Sequence, residues 1–277
     1  MLSDITLGQY FPGRSLLHKL DPRMKILLSI LLMVSVFMAK NLFCYLFITL
    51  FTLSLILIGR LSLRVVLRGI RPILYVLIFT MILNLLFTSS SGGHILCEFW
   101  IIKITAEGIW RAVFMSLRVI LLVIGTSVLL TYTTTPIALT DGIESLLSPL
   151  KVIRVPVHEF AMMMTIALRF VPTLIEETEK IMNAQKARGA DFSSGGLVRR
   201  VKALVPILVP LFVSAFQRAI DLATAMECRC YRGGKGRTKL IRYSLSLRDL
   251  ASFVIFAASL AGIILGNYYL PKEWILY

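Results

Sequence analysis

The run Leu42–Ile58 contains no charged residue, and four other stretches of the chain come close to it. A membrane-crossing helix needs ~20 mostly apolar residues, at ~1.5 Å each, to cover ~30 Å of hydrocarbon. Ile26–Ala39 is short and is followed at once by Leu42–Ile58, with only Lys40-Asn41 between them, which predicts a tight helical hairpin. Ile73–Phe87 comes next, then a Ser/Gly-rich loop at Ser89–Gly93, then Val113–Thr131 with one internal charge at Arg118. Far downstream, Leu250–Leu270 is interrupted only by Gly262, Gly266 and Asn267. Composition agrees with membrane residence: 57% of the 277 residues are apolar and the mean hydropathy is +0.81. Soluble chains reach about 45–50% on a wider count that includes Gly. The abundance of Leu, Ile, Val and Phe excludes disorder, and four cysteines in a chain of 277 residues exclude a disulfide scaffold. The expected fold is an all-α integral membrane protein with about five transmembrane helices and a cytoplasmic domain of long helices.

The net charge of +15 arises from 30 Lys plus Arg against 15 Asp plus Glu. Lys and Arg collect on cytoplasmic loops, so the excess reads first as topology. Nucleic-acid binding is the other usual reading of such a charge, but no nucleic-acid motif accompanies it. Arg14, Lys19, Arg23 and Lys25 precede the first span, and Arg60, Arg64, Arg68 and Arg71 separate the second from the third. Seventeen of the 30 basic residues lie between Tyr132 and Asp249. The other loops hold few: Lys40, then Lys103 and Arg111, then Lys272. With five spans every rich segment falls on one side, which predicts a cytoplasmic N-terminus and an external C-terminus. No small-residue cleavage site follows the first apolar run, so a cleaved signal is not expected. The chain divides on this reading into a four-span region (1–131), a cytoplasmic helical domain (132–249) and a final span (250–277).

Within the cytoplasmic stretch, Pro156–Arg188 reads as one long helix, bent near Pro172. Phe160, Met164, Leu168, Val171, Leu174, Thr178 and Met182 recur along it at spacings of three and four. A second long helix, about Gly196–Arg232, carries Pro206 and Pro210, which should bend or divide it. Asp141–Leu150 makes a shorter amphipathic helix, begun by Thr140 or Asp141 and stopped near Pro149. Asp21-Pro22 reads as an N-cap with proline in the first turn of the first span, with His18 on the surface.

Catalytic patterns are missing. His18, His94 and His158 lie on separate segments, and no GxSxG, HExxH or GxxxxGK[ST] occurs. The cysteines Cys44, Cys97, Cys228 and Cys230 form no CxxC…CxxC pattern, so no metal site is expected. Cys44 reads as a small buried hydrophobe. Arg118 is the clear intramembrane charge, whereas a carrier of polar substrate should show more. Arg169 reads as a structural partner of Glu176 or Glu177.

A repeated helix ending is the most informative feature. Ala184-Gln185-Lys186-Ala187-Arg188-Gly189 closes the first long helix, and Ala225-Met226-Glu227-Cys228-Arg229-Cys230 closes the second, 41 residues later. Each has Ala four residues before an Arg that is flanked by small residues. Either copy alone suits an ordinary helix end, since Arg complements the negative end of the macrodipole and Gly189 suits a left-handed position. Two copies also fit a guanidinium inserted into a narrow groove, where small neighbours let backbones approach and the planar fork meets a carboxylate.

Taken together these residues resemble the transmembrane T component of energy-coupling factor (ECF) transporters, the EcfT/CbiQ family. Tyr10-Phe11-Pro12-Gly13-Arg14-Ser15 and Leu17-His18-Lys19-Leu20-Asp21-Pro22-Arg23-Met24-Lys25 look like the family's opening. Thr134-Thr135-Pro136 leading to Leu146–Leu150 is similar to its first coupling segment, and Ala167–Pro172 and Ala184–Phe192 to its most distinctive stretch. The family's two Ala-Arg-Gly motifs plug into grooves on two cytoplasmic ATPase subunits. Ala187-Arg188-Gly189 matches the first in full, and Cys228-Arg229-Cys230 keeps the Arg and the small flanks of the second. The resemblance implies a non-catalytic scaffold and energy coupler of an ATP-binding-cassette importer in a prokaryotic inner membrane. It implies no cofactor in this chain, with ATP and Mg held by the two ATPases, and a small substrate-binding membrane subunit as a further partner beside the lipid bilayer. The cargo would be a vitamin or a transition-metal ion such as cobalt or nickel. A self-contained secondary carrier is the alternative from another class.

Overall fold

The structure, a computed structural model, describes residues 10–13, 15–87, 95–99, 102–190, 192, 196–233 and 243–269. Two compact units emerge, one formed by Gly8–Gly142 with Tyr243–Tyr277 and the other centred on Ile143–Arg242. The Ser89–Gly93 loop, Arg14, His94 and Lys272 lie outside the described residues.

The first unit is a helical bundle. Helix α1 (Pro22–Met38) starts as Asp21-Pro22 predicts: the Asp21 carboxylate accepts from Arg23 N–H at 2.9 Å. Pro22 fills the first turn, where its missing N–H would be unused anyway. Helix α2 (Leu42–Gly59) follows after a connection containing Lys40-Asn41 and ends at Arg60, which adopts a left-handed conformation (φ 52°). Helix α3 (Leu63–Phe87) begins ten residues before the apolar run that announces it and passes through Pro72. Arg64, Arg68 and Arg71 are therefore on its first turns rather than in a loop. A short antiparallel hairpin, β1 (Ile95–Phe99) and β2 (Ile102–Thr105), then leads to α4 (Ala106–Thr126). The last turn widens into a π-helical segment over Ser127–Thr131. Helix α8 (Leu247–Tyr269) closes the bundle.

Leu28, Leu32 and Val36 of α1 meet Tyr45 and Ile48 of α2, Leu121 of α4, Val128 and Leu129 of the π-helical segment, and Phe256 and Ile263 of α8 in one core. Gly125 lets α4 approach α1, since a β-carbon there would lie 2.6 Å from Leu32 Cδ2. Outward-facing Leu57, Phe79 and Leu250 remain exposed, as a lipid-facing surface requires.

Helices α1 and α8 are clamped at both ends. At one end Asp249, 3% exposed, accepts Asp21 N–H on Oδ1 at 2.9 Å and Ser246 N–H on Oδ2 at 2.8 Å. One carboxylate thus satisfies donors at two helix N-termini, where the macrodipole also favours negative charge. At the other end Asn267 donates to Met38 O at 2.6 Å and accepts Lys40 N–H at 3.3 Å, while Asn41 donates to Gly266 O at 3.4 Å. The two helices therefore run parallel.

Among the described residues five helices are long and apolar enough to cross a membrane: α2, α3, α4 with its π-helical extension, α8 and Lys202–Cys228. The number matches expectation, but the membership differs. Helix α1 has 17 residues and falls just short, yet it lies clamped along the full length of α8. Lys202–Cys228, expected on the cytoplasmic side, qualifies by length and composition, as the other four do. The parallel course of α1 and α8 is what an even number of crossings ahead of α8 gives. The protein is a multi-pass, mainly helical membrane protein.

Arg118 and Lys25 place basic side chains inside this bundle, in addition to the buried Asp21 and Asp249. Arg118 donates to Tyr45 Oη at 2.9 Å and to Ala39 O at 3.1 Å, so it caps the end of α1. Lys25 donates to Thr133 O at 2.8 Å and Thr134 Oγ1 at 3.2 Å. His18, half-buried, braces the entry loop through Ser15 Oγ (2.7 Å) and Phe11 O (2.9 Å).

Each bond from the buried Asp249 carboxylate is of the ~1.5–3 kcal/mol kind. Asp249→Ala should therefore destabilise the detergent-solubilised protein by about 3 kcal/mol in denaturant titrations. Asp249→Asn, whose single amide oxygen accepts only one of the two N–H donors while its NH2 faces the other, should lose at least half of that.

Candidate functional site

The second unit contains the two long helices that carry the repeated ending. Helix α5 (Pro136–Leu146) leads into it and begins five residues earlier than its apolar pattern suggests, because Thr135 Oγ1 accepts Ala138 N–H at 3.2 Å. A 3-10 segment at Ser148–Ile153 follows. Helix α6 (Val157–Ala187) matches the predicted long helix and continues through Pro172. Its first turn is tied back by His158 Nδ1, 3.0 Å from Glu144 Oε1. Helix α7 (Leu197–Cys228) is not divided by Pro206 or Pro210 and ends four residues before the expected Arg232.

The two helix ends share their two closing bonds. In α6, Arg188 is the C-cap, Gly189 N–H donates to Lys186 O at 2.9 Å and Ala190 N–H to Gln185 O at 3.0 Å. In α7, Arg229 is the C-cap, Cys230 N–H donates to Glu227 O at 2.8 Å and Tyr231 N–H to Met226 O at 3.1 Å. Both are Schellman endings in the same register, 6→1 and 5→2. Gly189 takes the required left-handed conformation at φ 84°, and Cys230 takes it at φ 55°. A β-carbon in that region strains the backbone by ~1–2 kcal/mol, which Gly avoids. The α7 ending thus keeps the shape of the α6 ending without its glycine.

All six residues of the two motifs are exposed: Ala187, Arg188 and Gly189 at one end, Cys228, Arg229 and Cys230 at the other. Each guanidinium leaves from a C-cap whose neighbours carry little bulk. Such an end offers a cation with a narrow backbone behind it, the shape that enters a groove.

One arrangement escaped the sequence reading. Glu177 of α6 does not pair with Arg169; Arg218 of α7 donates through Nη2 to Glu177 Oε2 at 2.6 Å, and Ser214 Oγ donates to Oε1 at 2.7 Å. The Ser214 hydroxyl and then the Arg218 guanidinium hold the Glu177 carboxyl below the usual carboxylate range. No local pattern marks the pair, since Glu177 and Arg218 stand 41 residues apart on separate helices.

The strain at Cys230 has a local readout. Nothing lies within 4 Å of a β-carbon placed on Gly189, so Gly189→Ala acts through the backbone alone. It should speed hydrogen exchange of the Ala190 amide about fivefold, for a cost of about 1 kcal/mol. Cys230→Gly should slow exchange of the Tyr231 amide.

Comparison with known proteins places the chain. The family model described as CbiQ, Cobalt transport protein, matches residues 13–240. The chain is 49% identical to the "Energy-coupling factor transporter transmembrane protein EcfT" of Thermosediminibacter oceani, over 96% of this chain and 99% of the relative. The protein of the same name from Ruminiclostridium cellulolyticum is 50% identical over 97% of this chain and 99% of its own length. That from Bacillus subtilis is 46% identical over 94% and 98% respectively. A match of this extent, joined to a helical multi-pass bundle and a pair of like-built helix ends, shows that the chain belongs to the CbiQ/EcfT family of energy-coupling factor transporter transmembrane proteins.

Proposed function

We propose that the chain is the scaffold and energy-coupling subunit of an ECF-type importer of the ATP-binding-cassette class. Arg188 and Arg229 enter grooves on two partner ATPases, which bind and hydrolyse ATP with Mg. Closure of those ATPases moves the two helix ends, and α6 and α7 pass the motion to a small membrane subunit that binds the substrate, a vitamin or a transition-metal ion such as cobalt or nickel. In this reading the chain sits in a prokaryotic inner membrane, with its N-terminus cytoplasmic and its C-terminus outside.

The observation that carries this reading is the identity of the two helix ends: the same ending in the same register, with an exposed C-cap arginine in each. Two equivalent plugs suit two equivalent sockets. The parallel course of α1 and α8 agrees with termini on opposite sides of the membrane. Occupation of Arg118 by Tyr45 and Ala39 also removes the intramembrane charge that a self-contained carrier would use.

Magnitudes separate docking from mere exposure. An arginine seated against an ATPase carboxylate loses ~3–5 kcal/mol when truncated, because its partner is left buried and unpaired. An arginine that stays in water loses at most ~1 kcal/mol. The tagged chain, isolated from its native membrane in mild detergent, should bring down two ATP-binding-cassette ATPases and a small membrane protein. The Arg188→Ala, Arg229→Ala double variant should lose the ATPases. Undiminished assembly and transport in that variant would falsify the coupling role, as would a chain that isolates alone yet moves solute in vesicles.

A further inference from the structure

We propose that Glu177 and Arg218 are positioning residues whose ion pair fixes the spacing of the two arginine-bearing helix ends, an inference that rests on the coupling role above. The pair joins α6 to α7. Both oxygens of the Glu177 carboxylate are engaged, one by Arg218 Nη2 at 2.6 Å and the other by Ser214 Oγ at 2.7 Å. Ser214 and Arg218 are four residues apart on one face of α7, so together they hold the carboxylate in one orientation.

Its place along the helices sets what it controls. Arg188 lies eleven residues beyond Glu177, and Arg229 lies eleven residues beyond Arg218. Each arm is therefore ~16 Å long at ~1.5 Å per residue. The ion pair stands equally far from the two endings, which gives the two arms equal length.

Stiffness is distributed unevenly about that point. Thr178–Ala187 and Ala219–Cys228 contain neither proline nor glycine, so both arms are uninterrupted helix. Pro172, Pro206 and Pro210 all lie on the other side of the pair. Prolines are the usual sites of helix bending, so flexing is confined to the segments that precede the crossing. With rigid arms, a ~10° change in crossing angle displaces each arginine by ~3 Å, a figure that follows from the arm length.

Apolar packing on the same face of α7 is uneven: Ile207 is buried, whereas Leu211 and Leu222, the apolar residues nearest the pair along that face, are only partly covered. The side chains of Arg218 and Glu177 retain 37% and 25% of their exposure. A pair this accessible contributes little to folding. Its effect is on angle and register, where a directed bond outweighs a slippery apolar contact.

The test reads the spacing directly. In the full chain with Cys44, Cys97, Cys228 and Cys230 replaced by Ser, spin labels at Asn183→Cys and Thr224→Cys report the distance between the arms. A narrow distribution is expected, which Glu177→Gln or Arg218→Gln broadens or shifts by several ångströms. The charge-reversed pair Glu177→Arg with Arg218→Glu should narrow it again, which a general loss of folding would not do. In the assembled transporter with its native cysteines, the single variants should keep ATP hydrolysis but transport several-fold less substrate per ATP, with recovery in the reversed pair. Unchanged distance distributions in both single variants overturn the inference, whether or not ATPases co-purify. A shifted distance with unchanged transport per ATP also overturns the positioning role. Absence of ATPases from the wild-type chain strikes the coupling reading instead, and leaves the distance result to judge the ion pair.

Discussion

A helix that ends in or near hydrocarbon must find partners for its terminal N–H and C=O groups without much help from water. The protein meets this constraint with a small number of polar side chains reaching across long sequence separations. Asp249 serves the beginnings of α1 and α8 together, and Asn267 serves the end of α1 from the far end of α8. Arg118, on α4, caps α1 through Ala39. These bonds make α1 and α8 parallel neighbours.

The same requirement is met differently in the second unit. There the helices end in exposed Schellman turns, which satisfy their own carbonyls and need no outside partner. A self-sufficient ending leaves the C-cap side chain free for another task. In both helices that side chain is an arginine with small neighbours. Helix α2 of the first unit closes in the same way, with Arg60 N–H on Leu57 O and Leu61 N–H on Ile56 O, while polar side chains close both ends of α1 and the start of α8.

Much of this was legible in the sequence where local chemistry decides. Asp21-Pro22 announced the start of α1, and Pro156 and Gly196 marked the N-caps of α6 and α7. The apolar runs gave α2 and α8 within a few residues. Other features needed longer range. Helix α3 starts at Leu63 because a helix tolerates Arg64, Arg68 and Arg71, whereas an apolar window does not. Helix α5 carried its own start signal in Thr135-Pro136, but the apolar pattern from Asp141 onward was stronger. The hairpin at Ile95–Thr105 had no place in an expectation built on spans.

The candidate site divided along the same line. The repeated small-Arg-small pattern located both helix ends, since a C-cap is written in a few adjacent residues. It could not show that Cys230 would accept a left-handed conformation to keep the register of Gly189. Nor could it pair Glu177 with Arg218, because two helices 41 residues apart in sequence cross at a point that only their packing sets.

The central claim is that both helix ends seat in protein partners of one kind. A photo-activated cross-linking residue at Ala187 and, separately, at Cys228 tests it in native membranes. The account predicts that each position captures an ATP-binding-cassette ATPase, with adducts of comparable yield. Adducts confined to lipid, or to the chain itself, at both positions would contradict it.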